Sequence, residues 1–418
     1  MSGISPTKKI TMCKTRINMT DKIGLLVIGV CGDNASTLLA NEIAREMGVT
    51  DQASTNLGSI IRTQLPAVAS EVCIDFRNAR GWDIVATPVG DSVRHSGLVP
   101  KVEAEVMAVL DNIEPWPAVF RPDYVSKTIA ATASHYHAEQ TVSFELAALM
   151  TQIQSFRAQH QYEHVIVLHQ GSVEVAAEGF ETHKQLHDAI TANDRTISPS
   201  IVYALAAALT GCSVINGTPQ VMLCPCIQHL LQDQQSLGVG RDLCTGQTFL
   251  KSVLLPALSA SGKAVTNVIS YNALSNNDGS ALSEALPRQT KLDTKASMLA
   301  AHTVDTYPGV YQGRRLEDIN HTVTIDYAQG LGNDKLSFDR YAASCYGGGT
   351  LEFSIQGRHE DSKLACGVLV DLLLVVGRCL QTKSTQVEAD LLTSGWFKHS
   401  DHQMAFMNFH TTLINRMK

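Results

Sequence analysis

Four lysines fall in stretches dense with other polar groups. Lys291 and Lys295 are four residues apart, so on a helix they share one face. Like charges at that spacing repel by about 0.2–0.5 kcal/mol on a surface. A solvated helix face accounts for such a pair; so does an oxyanion or phosphate held between them. Lys335 in GLGNDK and Lys398 in GWFKHS stand in loop-like settings. Glu360 and Asp361 of HEDS can hold such lysines charged and in place.

Two further stretches bear groups of complementary chemistry. In GRDLCTGQTFLKSVLLPAL, a Thr-Gly-Gln-Thr turn opens an amphipathic helix. Thr245, Gly246 and Gln247 offer backbone and side-chain donors to a phosphate monoester. An ordinary N-cap by Thr245 explains the same residues. In ISYNALSNNDG, Asn272, Asn276, Asn277 and Asp278 crowd a strand-end loop. Such groups suit the hydroxyls of a polyol, and Asn-Asp-Gly equally suits a turn.

Near the start, LLVIGVCGDNASTLLA runs from strand to turn to helix, the context a dinucleotide turn needs. Gly29 suits the tight turn, and Ser36 or Thr37 can donate to phosphate oxygens. Cys31 stands where a second glycine would admit phosphate, although Gly32 follows. Asn34 comes next, Ala35 is tolerable at the third glycine position, and Asp33 adds negative charge. Nucleotide turn and plain strand-to-helix turn both remain open from this segment alone.

The elements that position these groups alternate. Ile23–Val30 reads as a strand and Ser36–Met47 as a helix. Glu103–Ile113 and Glu139–His160 are helical in pattern. His164–Leu168 is a buried strand, Pro199–Leu209 a helix, and Ser213–Asn216 a strand end. The alternation predicts βαβ units and a parallel sheet covered on both faces. After residue 247 the pattern changes. The helix Gln247–Leu258 leads to the strand Val265–Tyr271, and Thr322–Tyr327 and Leu351–Ile355 alternate like half-exposed strands. The apolar run Leu364–Gly377 carries Asp371 and is short for a membrane span, so Lys363–Cys379 reads as a buried helix.

The 418 residues allow two or three domains. A net charge of −7 gives no reason to expect nucleic acid or membrane as partner. Residues 1–21 read as a loose leader without a secretory signal. The ten cysteines then read as reduced thiols in the cytosol. Cys224-Pro225-Cys226 with His229 lacks a second pair at zinc spacing, so no metal is expected.

Taken in order, these segments resemble the myo-inositol-1-phosphate synthase family. The resemblance runs from Gly24 to about Lys398 and is most specific from Asp242 to Lys295. It is carried by Asp242, Thr245-Gly246-Gln247-Thr248, Lys251-Ser252, Ser270-Tyr271-Asn272, Asn276-Asn277-Asp278-Gly279, Lys291 and Lys295. Gly332-Asn333-Asp334-Lys335, Phe338-Asp339-Arg340-Tyr341, Glu360-Asp361-Ser362 and Trp396-Phe397-Lys398 continue it. The departures lie mainly on the nucleotide side, at Cys31, Asp33 and Ala35 and in Gln170-Gly171-Ser172-Val173-Glu174. In the phosphate turn, Cys244 stands for a lysine and Thr245 for a serine.

The resemblance implies an α/β fold: a Rossmann-like NAD-binding domain, residues 22–247 and 363–418, interrupted by an α+β catalytic and tetramerisation domain, residues 248–362. It implies a cytoplasmic homotetramer that cyclises glucose 6-phosphate. In that chemistry NAD oxidises C5, the acidified C6 attacks the C1 aldehyde, and the hydride returns. Lys291, Lys335 and Lys398 would serve the developing oxyanions and the hydride steps, with Asp242 and Asp361 tuning the lysines or contacting cofactor and sugar hydroxyls. Lys295 would hold phosphate with Thr245, Gly246, Gln247 and Asn276, while Asn272, Asn277 and Asp278 meet the sugar. NAD would rest on residues 29 and 31–37 with Asp83, Gly171, Ser172, Gly217, Thr218 and Asp242. Another NAD-dependent sugar-phosphate cyclase or epimerase, or a non-catalytic paralogue, remains open on the sequence.

Overall fold

The structure is a computed structural model that describes residues 22–275, 277–282 and 284–418. Six strands form a parallel sheet: β1 (Lys22–Ile28), β2 (Cys73–Asp83), β3 (Trp116–Pro117), β4 (Val165–His169), β5 (Ser213–Asn216) and β6 (Gly238–Val239). Their spatial order is β3-β2-β1-β4-β5-β6. Strand β1, KIGLLVI, is apolar throughout because both faces are covered. Ile23, Leu25 and Val27 face one core, shared with the helices Asp33–Glu46 and Asp361–Thr382. Leu26 and Ile28 face the other, shared with the helices Val142–His160 and Pro199–Leu209.

A second sheet has the order β10-β9-β7-β8, from β7 (Ala264–Leu274), β8 (Asn320–Tyr327), β9 (Asp334–Ser344) and β10 (Thr350–Glu360). β7 pairs antiparallel with β9 and parallel with β8. One face packs on the helices Gly246–Ala260 and Ala285–His302 through Leu255, Leu258 and Leu299. On the other face Tyr271 and Phe338 stay exposed, directly opposite each other.

β10 ends at Glu360, and the helix Asp361–Thr382 begins at the next residue. That helix carries the chain back into the core of the first sheet. It is long and apolar enough to cross a membrane, yet its residues from Leu369 to Gly377 are buried inside the protein. Its mid-helix Asp371 accepts from Ser59 Oγ at 2.5 Å and from the Ile60 and Ile61 N–H groups at 2.8 and 3.0 Å. A buried carboxylate therefore caps the short helix Ile60–Gln64.

Two expectations need correction. Lys335 does not lie in a loop but is the second residue of β9. The Asn-rich stretch is not all loop either, since Asn277–Leu282 is helical.

Candidate active site

β1 and β4 are neighbours, and their connections leave toward opposite ends of the sheet order. Ligands bind in the crevice that such a reversal opens beyond the strand ends. A cleft of about 320 Å³ lies there. Its floor is made of turns in close approach. Gly29 has φ +78°, and a Cβ there would lie 2.8 Å from Gly171 Cα. A Cβ on Gly217 would lie 2.0 Å from Gln170 Nε2. The helix Asp33–Glu46 opens beside the cleft with Gly32 as N-cap and no side-chain cap bond. Its first N–H groups are thus left to an anion.

Gly29, Cys31, Gly32, Asp33, Asn34, Asp83, Gly171, Ser172, Gly217 and Thr218 line this cleft. Ala35, Ser36 and Thr37 do not; they are buried within the helix, and the Ser36 hydroxyl donates to Asp33 O at 3.4 Å. The Cys31 N–H donates to Asp83 Oδ2 at 2.8 Å and its thiol to Thr87 O at 3.4 Å. Burial pushes the Cys31 thiol far up, so it adds no charge. Burial also raises Asp33, against His95, which weakens the repulsion its sequence position suggests.

A second compartment of about 80 Å³ adjoins the first and shares Asn34, Gly217, Lys291 and Asp361 with it. Asp242 organises it. The residue sits at φ +65°, held by its own N–H to Thr218 O at 2.9 Å and by Lys398 N–H to its carbonyl at 2.8 Å. Its carboxylate takes Lys291 Nζ at 2.8 Å, Lys398 Nζ at 2.9 Å and the Thr294 hydroxyl at 2.6 Å. Burial opposes its ionisation, but Lys291 and Lys398 outweigh burial and hold the carboxyl well below the usual range. Burial brings Lys398 down to about 8 despite Asp242.

Lys295 lies one turn beyond Lys291, almost fully buried, with no hydrogen bond or ion pair among the described residues. Burial and then Lys335, Lys251, Lys398 and Lys291 push it well below its ordinary value. Lys335 enters from β9, and Asp361 from the first turn of its helix. Four lysines and two aspartates line this compartment, so fully charged it has a surplus of two positive charges. That matches a phosphate monoester dianion. Asn272 also lines it, fully buried, with neither side-chain N nor O partnered. A buried amide in that state needs a ligand or water to complete it.

Thr245 occupies the N-cap of the helix Gly246–Ala260, yet its side chain makes no cap bond. Its hydroxyl therefore stays available at the compartment wall. Gly246 and Gln247 lie outside the lining. The Gln247 amide donates to both Asp339 oxygens, at 3.0 and 2.9 Å. Lys251 donates to Ser270 Oγ at 2.5 Å, and Ser270 donates to Asp339 at 2.6 Å. This buried net pins the helix start to the second sheet, and sequence reading assigned Asp339 no role. Asn277 and Asp278 open the helix Asn277–Leu282, and Asn276 lies outside the described residues. His169, Gln170, Glu174 and Tyr203 line the cleft without having been singled out as contacts; Gln170 and Glu174 lie in a segment where the family motif is altered, and no short motif marks His169 or Tyr203.

A model of the myo-inositol-1-phosphate synthase family matches residues 23–414. The chain belongs to that family. It is 27% identical over 414 residues to inositol-3-phosphate synthase isozyme 1 of Arabidopsis thaliana, covering 92% of this chain and 78% of that protein. It is 25% identical over 441 residues to the inositol-3-phosphate synthase of Saccharomyces cerevisiae, covering 97% and 83%. The solved inositol-3-phosphate synthase of Caenorhabditis elegans shares the fold, with TM-score 0.82, 23% identity and 95% and 85% coverage.

NAD is the cofactor of this family member, and the cleft fits it. The Gly29 and Gly171 turns meet backbone to backbone, Gly217 packs on the Gln170 side chain beside them, and the uncapped helix start is left to a pyrophosphate. Asp83 ends β2, where a carboxylate meets ribose hydroxyls and repels a 2′-phosphate. Two N–H groups already donate to Asp83, and its remaining lone pairs suffice for a diol.

Proposed function

We propose that this chain isomerises D-glucose 6-phosphate to 1D-myo-inositol 3-phosphate with no net redox change. The observation that carries the reading is the Asp242 clamp. One buried carboxylate fixes two ammonium groups from distant segments at the junction of the two compartments. A plain dehydrogenase needs no such concentration of cations beyond its hydride site. A reaction that develops charge on O5 and then on O1 does.

When bound, NAD supplies the hydride acceptor that oxidises C5 and later returns the hydride. Lys291 borders both compartments, which supports a role in taking the O5 proton and holding that oxygen. Lys335 and Lys398 stabilise the enolate and O1 charge. Lys398, at about 8, lies close to the pH at which proton exchange is most efficient. Lys295 and Thr245, which line the compartment, receive the phosphate, whose own oxygens can take the C6 proton. The unpartnered Asn272 amide orients a hydroxyl.

Residues 22–247 and 363–418 form the nucleotide unit in this reading, and 248–362 the catalytic and assembly unit. The protein works as a cytosolic homotetramer. The exposed Tyr271–Phe338 face of the second sheet supports self-association, since such a face is otherwise left to water. Light scattering should return four times the chain mass. The test of activity is incubation with glucose 6-phosphate and catalytic NAD, with products resolved by NMR. Inositol phosphate should form without NADH; NADH accumulating in step with product would overturn the reading.

A further inference from the structure

Under the cleft runs a buried polar chain whose hydrogen-bond directions can be deduced. It starts at Asn216, which two backbone groups orient: Nδ2 donates to Gln220 O at 2.9 Å, and Oδ1 accepts from Thr218 N–H at 3.1 Å. The Thr218 hydroxyl lies 2.7 Å from the same Oδ1 and must donate to it. Thr218 Oγ1 can therefore only accept from His169 Nδ1, 3.2 Å away, so Nδ1 carries the hydrogen. His169 is buried, and burial drives it down to about 3, so the ring is neutral and Nε2 is bare. Nε2 then accepts from the Ser200 hydroxyl at 3.2 Å.

Ser200 next meets Glu174. Its N–H donates to Glu174 Oε2 at 3.4 Å, and its hydroxyl also faces that carboxyl. The one hydroxyl proton of Ser200 is already directed at His169. Hydroxyl and carboxyl can then bond only if Glu174 carries a proton. The alternative, an imidazolium and a carboxylate, would put two charges where burial disfavours both. The start of the helix Pro199–Leu209 favours an anion, but burial prevails and raises Glu174 to about 7.

Glu174 lines the dinucleotide cleft and is 6% exposed. Its carbonyl accepts from the Thr290 hydroxyl at 3.0 Å, one residue before Lys291. This fixes it at the end of the cleft that meets the lysine compartment, where a hydride must pass. The charged or titratable groups around it are His169 of β4, Arg121 and Tyr124 from the segment before Val125, Tyr203 of the helix beneath, and Lys291 across the rim. Arg121 pairs with Glu145 at 2.7 Å and acts on Glu174 through its charge, which lowers Glu174 less than burial raises it.

We propose that Glu174 is a positioning residue for the nicotinamide end of NAD, and that its uncharged form lets the cleft hold the oxidised and reduced rings with balanced affinity. Only the oxidised ring is cationic. A carboxylate beside it would favour NAD+ over NADH, and a reaction that must take up a hydride and give it back is slowed by such a bias. The proposal rests on the NAD assignment and needs no sugar, so its test is separate from the test of the isomerase reading.

The test is equilibrium binding of NAD+ and NADH, by calorimetry, between pH 6 and 8.5. In the wild type the affinity ratio should move about tenfold toward NAD+ as pH rises through about 7. Glu174→Gln should hold the low-pH ratio throughout. Its amide can donate to Ser200 Oγ and accept from Ser200 N–H, but cannot ionise. A second readout needs no variant: near pH 7, NAD+ binding should release a fraction of a proton and NADH binding none, read from heats in buffers of different ionisation enthalpy. A flat wild-type ratio, the same rise in Glu174→Gln, or equal proton release with both nucleotides would each overturn the proposal. Absence of binding by either nucleotide would overturn the NAD assignment and this proposal with it.

Discussion

Asp242 and Lys295 are opposite cases of a buried charge. Asp242 has three donors and Lys295 has no partner among the described residues. Removing one member of a buried pair costs about 3–5 kcal/mol, because the other charge is left behind. Asp242→Asn leaves Lys291 and Lys398 together, so it should lose roughly 3 kcal/mol or more in denaturant melts, as well as activity. Lys291→Ala leaves Asp242 its Lys398 and Thr294 bonds. Its stability should change by only about 1 kcal/mol, while turnover falls by roughly 100-fold, as for a lost oxyanion donor. Lys295→Ala removes a buried charge that has no partner among the described residues. It should melt no lower than wild type and raise KM for the sugar phosphate about tenfold or more, the scale of one charge-assisted bond. An unchanged KM would remove Lys295 from the phosphate site. The four lysines and two aspartates were legible through the family resemblance; spacing alone left a solvated helix face as open as an anion site. The orientation of Ala35, Ser36 and Thr37 into the helix core was not legible. The family motif places them in the turn, but the helix face is set by packing on the helix Asp361–Thr382.

At the scale of elements, the apolar strands of the first sheet and the half-exposed β8 and β10 were legible, while β2 and β9 were not. β1, β4 and β5 are short and buried, so their composition announces them. β2 reads CIDFRNARGWD and hides itself. Its register against β1 jumps between Gly24↔Asp75 and Leu26↔Arg80, which breaks any alternation. β9 was missed because Phe338 and Arg340 lie on the open face while Ser337 and Asp339 are buried, inverting the usual pattern. Polar burial at Ser337 and Asp339 follows from the net around Lys251 and from His359, not from any property of the strand. The helix Asp361–Thr382 was legible as buried, and its Asp371 shows what an interior carboxylate is for. Asp371→Leu would orphan the Ser59, Ile60 and Ile61 donors. A loss of about 2–4 kcal/mol is expected, measurable by urea melts, with the first-sheet helices exchanging amide hydrogens faster. Loss of less than about 1 kcal/mol would mean that water replaces the carboxylate as cap.

The whole molecule brings two sheets together so that a cation-rich pocket opens onto a nucleotide cleft, and this assembly has a cost that depends on pH. The alternation of strands and helices announced a parallel sheet, but not that Asp242, beyond β6, would meet Lys398 from the C-terminal part of the chain. Their convergence depends on long-range packing that no local pattern encodes. Lys398 has an ordinary value of 10.5 and is held near 8 in the folded protein by burial. The unfolded chain therefore binds more protons between those values, and stability should rise as pH passes from about 8 toward 10.5. Below about 8 Lys398 is charged at the protein's expense, and Lys295 shifts in the same direction. An anion in the compartment removes that cost by drawing Lys398 and Lys295 back toward their ordinary value. Sulfate does not titrate in this window and so isolates the protein's own contribution. At about 100 times its Kd it should stabilise by about 2.7 kcal/mol near pH 7. The gain should shrink steadily toward pH 10, where Lys398 is neutral and Lys295, shifted the same way, attracts an anion less. Thermal melts at pH 7, 8.5 and 10, with and without sulfate at constant ionic strength, measure it. A gain that is equal at pH 7 and pH 10 would mean that sulfate binds elsewhere, and that the four lysines do not form one anion site.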